Sequence, residues 1–179
     1  MPALTKQQLD SAQELATASI AGLRSKEGIH AGTVIAATAR MAGSYRFRSF
    51  RLDLPGVQSG QVVLSDKANA RGSTLIETTA RLLWRMGIIL EPSQARNPVD
   101  PKDQPTLSFL DTQRLLERAF STIRARYGFD DEQTAYAVAA ATSLVIQHCA
   151  KALDPHIGFG IAALGFVEGT KTVPDLVVP

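Results

Sequence analysis

A single cysteine, Cys149, is all the thiol chemistry available to this chain of 179 residues. That excludes an intramolecular disulfide and argues against a structural zinc site built on cysteine. A reducing, cytoplasmic setting is the expectation. The surrounding run Leu144-Val-Ile-Gln-His-Cys149 reads as the apolar interior of a helix, so a buried, inert thiol is expected rather than a nucleophile. Aromatic residues are scarce, at 6%, so aliphatic and small side chains must fill the core. Net charge is scarce too. At +2 the global field is too weak to imply a nucleic-acid or membrane partner. Long apolar runs are missing. The N-terminus has no basic region followed by an apolar stretch, so a signal peptide is not expected. The longest charge-free run, 133–150, is diluted by Ala, Thr, Ser and Gln and is a weak membrane candidate.

The signatures of chemistry are also lacking. There is no Gly-x-Ser-x-Gly elbow, no Gly-x-x-x-x-Gly-Lys-Ser/Thr loop and no Gly-x-Gly-x-x-Gly after a strand. Gly158-Phe-Gly160 is a fragment of the last, set in the start of a helix. No cofactor, metal or reaction is therefore read from the sequence, and a non-enzymatic role is favoured.

What is present is helical periodicity. Apolar residues at 45% and charged residues at 20% suit one globular domain over 1–179. Thr5 and Gln8 form a capping box, Leu4 and Leu9 can staple, and Leu9, Ala12, Ala16, Ile20 and Leu23 make one stripe. This predicts a helix from Lys6 to Lys26 with Gly28 as its stop. Ile29–Phe50 reads as the second helix, with a short strand over 45–48 as the alternative. A third is predicted from about Ser65, interrupted at Gly72 and ended at Gly87. A fourth runs from Leu107 to Tyr127, stopped by Gly128. A fifth runs from Asp131 to Leu153, opened by Asp130 with Gln133, and is apolar or small all round, as a central helix should be. A sixth covers Pro155–Val167, with Asp154 as cap and Gly169 behind it. Four prolines exclude a helix over 91–105, which reads as a lid, an arm to a second subunit or a surface connection. An extended tail is expected over 170–179. The fold class is all-α: a single-domain bundle of five or six helices with close-packed Ala/Gly contacts.

The second helix holds the candidate site. One face carries Gly32, Ala36, Ala39 and Gly43, whose bare surface admits another backbone. Its partner is expected to be the fifth helix or the same helix of a second copy, with a homodimer favoured. The far end gathers Arg40, Tyr45, Arg46, Arg48 and Arg51. Arginine beside aromatics suits an anionic small molecule or a partner, while the absence of an adjacent short helix argues against nucleic acid. A pocket of Tyr45, Phe47, Arg48 and Trp84 is the alternative to self-association. His30 and His156 begin matching segments, His-x-Gly-x-x-Ile-Ala-Ala, which repeat the spacing to Gly43 and Gly169. Both are weak ligand candidates. They lack the second Glu-x-x-His that a di-iron bundle needs. A third reading is an enzyme that uses histidine without a motif.

Overall fold

The computed structural model describes residues 4–71, 73–91 and 100–175. Among them the only regular elements are helices: α1 (Lys6–Gly22), α2 (Ala31–Ser49), the short α3 (Asp66–Arg71), α4 (Ser73–Arg85), α5 (Phe109–Tyr127), α6 (Asp131–Cys149) and α7 (Pro155–Lys171). The all-α bundle expected from periodicity is the observed fold. No helix among the described residues is long and apolar enough to cross a membrane.

Local signals set most of the boundaries. Thr5 and Gln8 close a reciprocal capping box on α1, and Asp130 and Gln133 do the same on α6. Gly128 ends α5 in the left-handed conformation at φ 65°, and Gly87 follows α4 at φ 81°. Four expectations shift, among them the fifth helix, which ends at Cys149 rather than Leu153. The first helix stops at Gly22, not Lys26, because Ser25 and Gly28 bond each other in a tight turn, where Ser25 Oγ also accepts the Glu27 amide. Gly28, at φ 111°, belongs to that turn rather than to the helix end. The last helix passes through Gly169 to Lys171, so the extended tail begins at Thr172. Within 91–105 a 3-10 turn, Pro101–Asp103, forms where no helix was expected. The Asp100 carboxylate accepts the Lys102 amide and caps it, and three residues are too few for the proline rule to forbid. Residues 92–99, and with them most of the proline-rich stretch, lie outside the described residues, as does Gly72.

The centre of the bundle is α2. From Gly32 to Phe47 every residue except Arg40 is buried. It runs antiparallel to α6 and parallel to α5 and α7. The sense of α7 follows from facing pairs that advance together: Ile35 with Gly158, Ala39 with Gly165, Gly43 with Gly169. A Cβ at Gly43 would lie 2.7 Å from Gly169 Cα, and one at Gly169 would lie 2.4 Å from the Arg40 carbonyl oxygen. Backbone meets backbone here, which side chains on either helix would prevent. The Gly32, Ala36, Ala39, Gly43 stripe is thus covered by α7 and by the 3-10 turn, whose Asp103 carbonyl occupies the place of a Gly32 Cβ. The close neighbours of its glycines are α7 and the 3-10 turn, where the fifth helix or a second copy was expected. The fifth helix, α6, is buried as expected, against α1, α2 and α4. The two echoing segments do meet along α2 and α7, although His30 caps its helix while His156 sits just inside its own.

Candidate functional site

The arginine-rich end of α2 is a set of closed pairs. The Arg48 guanidinium donates to both oxygens of Glu117 on α5, at 2.7 Å each. The same carboxylate accepts from Tyr45 Oη at 3.1 Å and Ser121 Oγ at 3.0 Å. Four donors satisfy a carboxylate only 7% exposed, while the buried Arg48 Nε has no partner among the described residues. Arg46, 3% exposed, pairs with Glu132 and lies over the rings of Phe50 and Tyr136. Arg124 pairs with Asp131 at 2.9 Å. Three cations thus meet three anions. Burial, then the charge of Glu117, pushes the Tyr45 phenol far above its ordinary pKa. Arg40 donates to Glu168 and to the Leu107 carbonyl, both at 2.6 Å. Arg51 is exposed at the end of the helix, with φ at 47°. Of the residues expected to gather around a ligand, Arg40, Tyr45, Arg46 and Arg48 are therefore held by groups of the same chain. Trp84 does not join them: Tyr45 and Phe47 are buried, whereas Trp84 is 66% exposed on α4.

The histidines are likewise engaged. His30 Nδ1 accepts the Thr33 amide at 3.1 Å, capping α2, and its Nε2 donates to the Lys102 carbonyl at 2.8 Å. His156 Nδ1 donates to Asp154 at 2.9 Å while Nε2 accepts the Glu91 amide at 3.1 Å. Each has both ring nitrogens engaged within the chain. An acid–histidine pair is present at Asp154 and His156, but the nitrogen a substrate would need is occupied. The amide of His156 also bonds Asp154 and, with the ring, holds its carboxyl below the usual range. Among the described residues no three His, Cys, Asp or Glu side chains are placed to hold a metal ion. His148 sits apart, on an open groove of about 520 Å³ between α1 and α6. Gln13, Thr17 and Gln147 rim this groove and Ala16, Ile20 and Leu144 line it.

No family model matches the chain, and neither a curated protein nor a solved structure resembles it.

A different surface is left uncovered by the described residues. The face of α7 turned from α2 carries His156, Gly160, Ala163, Leu164, Val167 and Lys171, spaced as one helical stripe. Leu164 is 57% and Val167 41% exposed. From 155 to 167 there is no Asp, Glu, Lys or Arg. Solvent-facing helix surfaces are ordinarily polar. Val62 and Leu64, both exposed, lie at the Lys171 end, where the Val63 amide bonds the Lys171 carbonyl at 2.7 Å. Glycine adds a further mark. Gly158, Gly165 and Gly169 each face close neighbours, whereas a Cβ at Gly160 would meet nothing within 4 Å. An interior helix glycine forfeits helix propensity, and at Gly160 no contact among the described residues explains it. Sequence reasoning missed this surface. Its signal was the uncharged run 155–167, which resembles a central helix until the neighbours of α7 are known.

Proposed function

We propose that this protein acts by association, with the outer face of α7 as its docking surface for another polypeptide. The observation that carries this reading is a helix face on which Leu164 and Val167 are exposed and which has no charged residue over 155–167. Contiguous exposed apolar surface marks interaction sites. Self-association, with a dimer as the simplest closed form, fits a chain of this kind. An anionic ligand is a weaker reading, because the arginines that would receive it already bind carboxylates. A nucleic-acid partner would need a basic face, and only Arg51 of the cluster is left outward. The expected setting remains cytoplasmic.

The test uses a photo-crosslinking amino acid placed at position 164 of the full chain, in its own cell, with position 118 on the exposed side of α5 as control. Adducts from 164 and none from 118 support the reading. Silence from both sinks it.

The groove between α1 and α6 favours a second reading, a small uncharged ligand. Its volume falls within the range of small-molecule sites, roughly 300–1,000 Å³, and no Asp, Glu, Lys or Arg lines it. Ile20→Trp would fill it. A ligand that copurifies with the native chain and is lost from this variant, seen by native mass spectrometry, would support that use. No copurifying ligand with either chain would count against it.

A further inference from the structure

Resting on the docking reading above, we infer that the α7 face receives a second copy of this chain, packed antiparallel across a two-fold axis. The outer stripe is complementary to its own reverse. With two α7 helices antiparallel and centred between 163 and 164, position 156 comes opposite 171, 160 opposite 167, and 163 opposite 164.

Each of these pairs fits. Gly160, with open space before it, receives Val167 of the second copy. Ala163 receives Leu164. At the ends, the exposed carboxylate of Asp154, tied to the His156 ring, meets the ammonium of the second copy's Lys171. All three contacts occur twice, as an isologous interface requires. A parallel arrangement would set lysine on lysine and glycine on glycine, leaving a repulsion and a gap. Antiparallel helices also bring opposite dipole ends together. Glu168 borders the stripe, but its carboxylate is bonded to Arg40, so it does not oppose the contact. Val62 and Leu64 are exposed beside the Val63 amide that bonds the Lys171 carbonyl, near each Lys171 end.

The experiment is sedimentation equilibrium of the full chain from low micromolar to submillimolar concentration. A dimer is expected. Leu164→Asp should weaken it by at least about tenfold, with helicity and the melting curve at dilute concentration unchanged, since this side chain faces outward. If that variant folds poorly, Lys171→Asp gives an independent reading: it should weaken the dimer, and adding Asp154→Asn should recover part of the loss. Orientation is read by cysteine. Ala163→Cys lies near the axis and should cross-link to its copy under mild oxidation. Lys171→Cys should not, because the two copies of residue 171 lie roughly 20 Å apart at 1.5 Å per residue. A wild-type chain that is monomeric throughout overturns the inference, as does equal cross-linking at 163 and 171. A monomeric chain that still cross-links from 164 to a different polypeptide would refute the second copy and leave the docking reading standing. A monomer without cross-links from 164 would refute both.

Discussion

The contact between α2 and α7 makes a sharp prediction about one methyl group. In Gly43→Ala, the new Cβ would stand 2.7 Å from Gly169 Cα, 2.7 Å from the Phe166 carbonyl oxygen and 2.8 Å from Gly169 C. Carbon atoms prefer about 3.5–4.0 Å. All three neighbours are backbone atoms of one helix, so no side chain can swing away and α7 must shift by close to an ångström. Overpacking of this kind costs about 1–3 kcal/mol. Against it stands the gain in helix propensity, about 0.8–1.0 kcal/mol for Gly to Ala. The net expectation is a loss of up to about 2 kcal/mol. Gly160→Ala makes the same propensity gain with nothing in the way, so it should stabilise by up to about 1 kcal/mol. Both variants should be built in a Leu164→Asp background, which removes any contribution from a second copy. Urea unfolding gives the difference between them, expected at about 1–3 kcal/mol from the overpacking term alone. At about 2–4 °C per kcal/mol for a chain of this size, melting curves would separate by several degrees. Equal stabilities would refute the close approach of the two helices, and a Gly43→Ala chain more stable than its parent would do so more strongly.

Glu117→Ala leaves Arg48 and the Tyr45 hydroxyl without their carboxylate. Breaking a buried pair costs about 3–5 kcal/mol, and partial exposure of Arg48 places this one near the lower bound; urea unfolding should show it, and Arg51→Ala should show almost nothing. Because Tyr45 is harder to ionise folded than unfolded, its contribution to stability is complete below the free phenol value of about 10 and is lost as pH rises through the folded one. Tyr45→Phe should flatten the decline in stability above pH of about 10, measured by unfolding at stepped pH. Burial also raises the pKa of the Cys149 thiol, so a thiol reagent should modify it at the rate of unfolding, and fast labelling of the native chain would contradict its burial.

Much of the fold was legible because its signals are local. A capping box at Thr5 and Gln8, or a glycine at 128 ending an apolar stripe, acts within one turn of backbone and needs no distant neighbour. The stripe Gly32, Ala36, Ala39, Gly43 correctly announces a close approach, since only small residues permit one. Gly169 shows the limit. A glycine that admits a neighbouring backbone and one that ends a helix look alike in sequence, and α2 decides between them.

The candidate site was less legible, for the same reason. Four arginines near aromatics describe an anion site until Glu117, Glu132 and Glu168 arrive from residues 69 to 128 positions away. The uncharged run 155–167 describes a central helix until the structure leaves Leu164 and Val167 exposed. The sequence by itself determined which segments are helical, where most helices begin, which faces are apolar and which are bare, because these follow from periodicity and capping along the chain. Only the tertiary structure decided what each face meets. Pairing, burial and exposure are relations between segments distant in sequence, and the outer face of α7 is defined by what the other described residues do not cover.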